Sequence, residues 1–548
     1  MKSLFKSVLT ATLCSVVVFS CGNPAKMAKE AEKLQAKCEP QPLEVVAGKI
    51  NAKVSLTFPA DYFHPKAVVE AIPVLVYQGG EQALDPIMLQ GEDIAGNYQV
   101  VPKTGASVEK NLTFDYVEGV EKSSLEFRVT VLNKEERIAF PAPIKVADGA
   151  NTTYQLVKPN EALAFAPDAY QAIIPETEEA QILYLINSSN VRSSQLKSSE
   201  IKAFQDFLAN VKADERREVK NTEIVAYASP DGKESYNAKL SADRAKSASQ
   251  AFNKTINKAK IEASVDSRSI DEDWEGFQEL VKNSNIADKD LILRVLEMYS
   301  DPAVRESEIK NMSAVYTTLK KDILPQLRRA RFIANVEFTN YTDAELLALV
   351  QSNIEVLDEE ALLHVATLID KCENKLDIYE KAIDKYSSDR AKVNAAVLKV
   401  KAGDLAAAKS YLAQVSNKED YYYNTTAVIA LCENNVAAAK IALKNSSIKE
   451  AKYNAGVVDI LEGKYAEAKS KLAGEGGFNE ALSCILTNDL AGASSILKDA
   501  NCPCKSYLKA IIAARQGKTD DAKAAIAVAS KNEKLAKRAA NDIEFAKL

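Results

Sequence analysis

The stretch Tyr227–Ala248, YASPDGKESYNAKLSADRAKSA, decides how the middle of this chain folds. It is entered through Ile224-Val225-Ala226-Tyr227, an apolar run that reads as the end of a strand. Ser229-Pro230-Asp231-Gly232 follows, and proline and glycine supply the backbone angles of a tight turn. Beyond the turn, Leu240, Ala245 and Ala248 recur at a spacing that lines one face of a helix entered near Tyr236. Arg244 falls near the start of that helix, on a different side from Leu240.

The flanks extend the pattern. Upstream, Ile182-Leu183-Tyr184-Leu185-Ile186 predicts a strand and Asn187-Ser188-Ser189-Asn190 a turn. A helix is expected from Ser198 to Val211 with Ile201, Phe204 and Leu208 inside. Downstream, Ile261, Ala263 and Val265 suggest a third strand. Phe332, Ala334, Val336 and Phe338, alternating with Arg331, Ile333, Asn335 and Glu337, suggest a fourth. The expectation is a central α/β sandwich over residues 180–340 with its helices on one face. Residues 276–326 interrupt it with helical periodicity (Leu280, Leu291, Leu293, Leu296, Ile309, Met312, Tyr316, Leu319, Ile323) and read as an insertion. Trp274, the only tryptophan, stands at the mouth of that insertion. It reads as a packing anchor, with stacking on a sugar as the lesser alternative.

Gly232, Tyr236, Asn237, Leu240, Ser241, Arg244 and Ala245 all fall on the pattern TD-x-x-G-x-x-x-YN-x-x-LS-x-x-RA. In this strand–turn–helix context the segment resembles the signature of the OmpA-like C-terminal domain. Leu327-Arg328-Arg329-Ala330 resembles the NRRV near that family's end. The resemblance implies a periplasmic module that binds peptidoglycan, in which the motif Asp and Arg grip diaminopimelate of the stem peptide. Ser229 stands where the family has that Asp. The implied ligand set is Arg244, holding a stem-peptide carboxylate by a charge-assisted contact, with Asp231, Ser229 and Asn237 in support. The alternative, given equal weight, is the same fold kept as a scaffold without a ligand.

From Tyr341 to Leu548 no strand pattern survives, and a motif recurs. GDLAAAK at Gly403, NNVAAAK at Asn434, GKYAEAK at Gly463, NDLAGA at Asn488 and GKTDDAK at Gly517 are spaced by 31, 29, 25 and 29 residues. Each has a helical pattern before the Gly or Asn and another after it. Those two residues tolerate a left-handed cap, and alanine lets paired helices approach. The unit resembles a degenerate tetratricopeptide repeat, whose length is about 34 residues. An all-α solenoid over 341–548 is expected. Solenoids offer a concave surface to proteins, and Tyr421-Tyr422-Tyr423 is a candidate partner contact because three consecutive aromatics cannot all face one core.

Towards the N-terminus, Val54, Leu56 and Phe58 alternate with Lys53, Ser55 and Thr57. Leu125, Phe127, Val129 and Val131 do the same. Period-two alternation broken by glycines predicts an all-β sandwich over residues 43–150. Residues 151–179, with Pro159, Pro167 and Pro175, read as a linker, and residues 21–42, rich in Lys, Glu and Ala, as a tether. Residues 1–20 pair Lys2 and Lys6 with an apolar run from Val8 to Phe19, which reads as a signal peptide. Ser20-Cys21-Gly22 at its end resembles the lipobox of bacterial lipoproteins, which implies lipidation of Cys21. Gly22 in place of Asp favours the outer membrane, and the lack of an acidic run favours its periplasmic face over the cell surface.

The 548 residues carry 70 Lys and Arg against 76 Asp and Glu, a net charge of −6, which gives no reason to expect nucleic-acid binding. Two histidines, His64 and His364, leave no metal site or His-dependent triad in view. No phosphate loop, H-E-x-x-H or G-x-S-x-G occurs. Neither an enzyme nor a cofactor is expected. Cys372, Cys432, Cys484 and Cys502 sit in helical patterns and read as packing residues. Cys502-Pro503-Cys504 is the one close pair and lacks the two-residue gap of a thioredoxin-like motif, so the cysteines read as packing or an occasional bridge and not as chemistry. The combined expectation is a non-catalytic envelope lipoprotein that links the outer membrane to peptidoglycan and recruits a protein partner on its repeats. The alternative is a surface, fimbrial or secretion-complex assembly subunit with an inert OmpA-like fold.

Overall fold

A computed structural model of the chain describes residues 24–133, 136–259, 264–286, 288–499 and 501–548. Cys21 and the apolar leader lie outside them. The chain divides into two compact units, one formed by residues up to 166 together with 379–548, the other by residues 167–378.

In the first unit the alternating segments form two sheets. One orders Gln35–Glu39, Lys49–Phe58, Leu43–Val46 and Ala150–Asn151 side by side, with Ala106–Asp115 also paired to Lys49–Phe58. The other orders Glu136–Ala139, Ser124–Asn133, Val68–Tyr77, Ile87–Gly91 and Gln99–Val101, with Ile144–Asp148 and Gly80–Ala83 attached. Val54, Leu56 and Phe58 from one sheet and Leu125, Phe127 and Val131 from the other are buried in a shared core, as period-two alternation requires.

The expected tether is in part structure. Gln35–Glu39 pairs antiparallel with Lys49–Phe58, in the register Gln35↔Thr57 to Glu39↔Lys53. Met27, Leu34 and Cys38 are buried, and the Tyr62 hydroxyl donates to the Met27 carbonyl at 2.9 Å. Three spaced apolar side chains suffice to dock the segment, a signal that its Lys- and Glu-rich composition hides.

The repeats fold as five antiparallel helix pairs: Asp389–Lys401 with Leu405–Ala413, Asp420–Cys432 with Val436–Leu443, Lys449–Leu461 with Tyr465–Leu472, Phe478–Leu486 with Leu490–Ile496, and Pro503–Arg515 with Thr519–Ala529. Gly403, Asn434, Gly463, Asn488 and Gly517 all take positive φ, between 58° and 80°. The residue after each donates its N–H five residues back, as Asp404 does to Lys399 at 2.9 Å, the bond that closes a Schellman turn. Ala408, Ala439, Ala468, Ala493 and Ala522, one per motif, are fully buried where paired helices meet. The first helix of each pair is buried on nearly all sides, whereas the second buries one stripe. The inner layer therefore touches something besides its partner helices.

The second unit is built on a four-stranded sheet. Its elements in chain order are β1 (Ile173–Leu183), α1 (Ser199–Ala213), β2 (Arg217–Tyr227), α2 (Glu234–Ala259), β3 (Ser264–Ile270), four helices α3 (Trp274–Asn283), α4 (Lys289–Met298), α5 (Pro302–Asn311) and α6 (Ser313–Asp322), and β4 (Arg329–Thr339). The sheet order is β1-β4-β2-β3, with β2 and β3 parallel and the other pairs antiparallel. Ile201, Phe204 and Leu208 of α1 join Phe252 of α2 and Phe332 of β4 in one core. The inserted helices close on their own cluster around Phe277, Leu296, Ile309 and Leu319, although Leu291 is exposed.

Two expectations here are corrected. β1 starts at Ile173, inside the expected linker, and ends at Leu183, so that Leu185 and Ile186 are exposed. It is an edge strand whose acids pair across the sheet, Glu176 with Arg217 and Glu179 with Arg331, so its polarity disguised it. Asp343–Ser352 and Glu359–Thr367, placed by sequence in the solenoid, belong to this second unit. Arg216 ties down the first of them by pairing with Glu345 at 2.8 Å and stacking on Tyr341. Ile261 and Ala263 lie outside the described residues.

Candidate functional site

The motif turn lies where β2 ends and α2 begins, and the structure gathers all four sequence-predicted ligands there. Arg244 is 1% exposed. Its guanidinium donates to three main-chain carbonyls, from Nε to Ser188 at 3.0 Å, Nη1 to Tyr227 at 2.8 Å and Nη2 to Leu185 at 3.3 Å, and lies over the Tyr184 ring. Burial pulls this side chain down to about 10, which leaves it charged at neutral pH. Its role in this conformation is to bind the β1–α1 loop to the end of β2.

Ser229 and Asp231 face a second arginine. The Ser229 hydroxyl donates to Asp231 at 2.5 Å, and Arg328 reaches Asp231 at 3.2 Å and the Ser229 hydroxyl at 3.3 Å. The departure at Ser229 is thus compensated within the chain by an Asp two residues on and an Arg from the segment before β4. Asn237 is buried and donates to the Ser229 carbonyl and to Glu272.

The inserted helices cover this turn. Asp273 donates its N–H to the Ala228 carbonyl, caps α3 through the Gly276 N–H at 2.9 Å, and pairs with Arg329 at 2.8 Å. Burial pushes the Asp273 carboxyl up, and Arg329 offsets part of that. The Asp271–Asp273 loop is therefore not a free acidic loop. Trp274 donates to Glu272 and packs edge-on against Phe277 at 5.7 Å. Between Pro230 and the inserted Phe277, Tyr316 and Leu319 only about 10 Å³ remains, room for about one water.

The second site was not foreseen. The connector from Thr152 to Ala166 runs along the inner helices of the array, in the direction opposite to the array's own. Asn479 accepts from the Lys158 N–H at 2.8 Å and donates to the Lys158 carbonyl at 2.8 Å. Asn424 and Asn454 both donate to the Ala162 carbonyl, at 3.2 and 2.9 Å. Asn394 repeats the two-way bond with Ala166, at 2.6 and 3.0 Å. All four asparagines are at most 1% exposed, and every one of these bonds is to main chain. Around them Tyr453 donates to Glu161 at 2.8 Å, and Leu163 joins the cluster of Val393, Val428 and Ile429. Beside Glu161–Leu163 a cavity of about 430 Å³ remains, lined by Lys449, Tyr453, Phe478 and Lys505 among others. The signal was available: the asparagines recur at 30, 30 and 25 residues, in the helix before each of the first four turns.

Tyr421, Tyr422 and Tyr423 are each half-buried. Tyr421 and Tyr422 pack on the cluster around Val393, and Tyr423 meets Tyr422 edge-on at 5.3 Å. Of the cysteines, Cys38 and Cys484 are buried and Cys432 half-buried, but Cys372 and Cys502 are exposed and do not pack.

No protein-family model matches the chain, and comparison with curated proteins finds no match. Among solved structures the chain is similar to a tetratricopeptide repeat protein from Parabacteroides merdae ATCC 43184, at 13% identity and a TM-score of 0.29 over 37% of this chain and 91% of that one. The helix-pair assignment rests on the turn geometry described above.

Proposed function

We propose that this chain is a non-catalytic scaffold of the cell envelope whose helical repeats grip extended main chain, and that it spends that grip on its own connector. The observation that carries this reading is the row Asn394, Asn424, Asn454 and Asn479, bonded to Lys158, Ala162 and Ala166. Amide side chains bonded to backbone read no sequence. They hold a strand by shape and length, and the held strand here fixes the β-sandwich to the helices. Partners then meet the outer helices, where Ile441 is 66% exposed. A lipid on Cys21 would tether the whole to the outer membrane. A photo-crosslinking residue at Ile441 should capture other envelope proteins, while one at Ala162 should give only intramolecular products. Intermolecular adducts at Ala162 and none at Ile441 would reverse the assignment. Cys21→Ser should move the protein out of the membrane fraction.

A second reading keeps peptidoglycan as ligand, and the motif turn at the end of the β2–β3 parallel pair favours it. It requires Arg244 to exchange carbonyls for a stem-peptide carboxylate, with Asp231 released from Arg328 and the inserted helices lifted. Co-sedimentation of the full chain with purified sacculi tests it. Pelleting by wild type that Asp231→Ala abolishes supports the wall-binding reading; no pelleting by wild type leaves the α/β fold as a spacer.

A further inference from the structure

Cys502 is exposed with no packing role, and beside it Cys504 is half-buried against the core of the first unit. Cys502 is the N-cap residue of the thirteen-residue helix Pro503–Arg515, and Cys504 stands in that helix's first turn. Their sulfurs are 3.1 Å apart, about 1 Å beyond a bonded pair. The third group is independent of the helix. The Lys158 ammonium, brought in by the connector and fixed by the two-way bond of its main chain to Asn479, lies 3.2 Å from the Cys504 sulfur. Cys502 is exposed and Cys504 half-buried, so an incoming molecule reaches Cys502 first. Burial alone would push the Cys502 thiol up, but Cys504, the Lys505 amide and Lys158 together hold it below the ordinary thiol value. Elsewhere burial pushes Cys38 up to about 11 and raises Cys432 and Cys484, which makes them poor nucleophiles.

We propose that Cys502 and Cys504 form a thiol–disulfide exchange site that takes low-molecular-weight disulfides, with Cys502 attacking, Cys504 resolving and Lys158 positioning the resolving thiolate. The Cys502 thiolate attacks one sulfur of the incoming disulfide, whose S–S bond breaks, and the departing thiolate takes a proton from solvent. A mixed disulfide now sits on Cys502. Cys504, its proton lost to solvent and its negative charge facing Lys158, attacks the Cys502 sulfur. The second thiolate leaves and is protonated. Two electrons and two protons have passed from the cysteine pair to the disulfide, which is released as two thiols, and Cys502 is bonded to Cys504.

The test exposes the full chain to buffers of oxidised and reduced glutathione, with acid quenching, alkylation and mass spectrometry of the peptide carrying both cysteines. In wild type that peptide should become lighter by two hydrogens without accumulating an adduct. Cys504→Ser should stop at a glutathione adduct on Cys502. Cys502→Ser should react about tenfold more slowly. Lys158→Met should slow ring closure while leaving adduct formation on Cys502 intact, which separates positioning from a general loss of structure. Cys372, exposed and alone, is the internal reference. Stable adducts on both cysteines of wild type, or reaction no faster than at Cys372, would overturn the proposal.

Discussion

Arg244 shows how one residue's placement changes what a motif means. A buried guanidinium bonded to three main-chain carbonyls, that of Tyr227 in a fully buried contact, is stabilising because it joins the β1–α1 loop to the end of β2, and stranding a buried polar group costs about 1–3 kcal/mol. Arg244→Ala should therefore destabilise the α/β unit by about 3 kcal/mol, read as a fall in the urea midpoint that reports on this unit. An unchanged midpoint would show that the carbonyls find water instead. Asn454 carries the same logic in the other unit. Asn454→Leu strands the Ala162 carbonyl in part and loosens its bond to Asn424, so the connector should become a protease site near Lys158 while the folded array persists. Resistance equal to wild type would mean that packing at Leu163 and Tyr453 holds the connector without the amides.

At the scale of the element, the repeat turns separate backbone strain from crowding. Gly403 and Gly463 share a left-handed backbone, with φ of 80° and 78°, but an added Cβ would meet open space at Gly403 and lie 2.1 Å from Val46 at Gly463. Gly403→Ala should cost about 1 kcal/mol, the left-handed penalty for an L residue. Gly463→Ala should cost clearly more and weaken the hold on the β-sandwich. Equal losses in thermal unfolding would show that Val46 moves aside freely. The same scale explains the edge strand β1. Its acids Glu176 and Glu179 are matched by Arg217 on β2 and Arg331 on the adjacent β4, so its polarity is that of a paired edge and not of a linker.

Across the whole first unit, the C-terminal end closes on the β-sandwich through charge. Arg515 and Glu544 pair closely, and Asn151 at 2.7 Å and Thr153 at 2.9 Å donate to the same carboxylate. Burial pushes Glu544 up, but Arg515 and the two sandwich residues outweigh it and hold the carboxyl below the ordinary glutamate value. Since the folded value is the lower one, this stabilisation is present in full above the ordinary glutamate range and is lost as pH falls through the depressed value. Asp542, whose carboxyl burial raises with Glu544 adding to the rise, acts with the opposite sign, so the pair is isolated by comparing Glu544→Ala with its parent in an Asp542→Asn background. There Glu544→Ala should lose about 3 kcal/mol at pH 7 and progressively less in acid. Thermal-unfolding curves that stay parallel from about pH 7 to about pH 3 would rule the pair out as the acid-sensitive contact.

What the sequence determined alone was local. Period-two alternation placed the sandwich strands, and the Gly or Asn of each repeat placed five left-handed turns, because both signals are written in residues that sit beside each other. The strand–turn–helix at Tyr227–Ala248 was legible for the same reason. Only the tertiary structure decided what those elements face. Whether Arg244 points to a ligand or to three carbonyls depends on loops sixty residues away, and Asp231 on an arginine nearly a hundred residues on. The groove of the repeats is filled by a connector more than two hundred residues upstream, since hydrogen bonds to main chain can be made by any sequence of the right length and so leave no mark in the residues they hold.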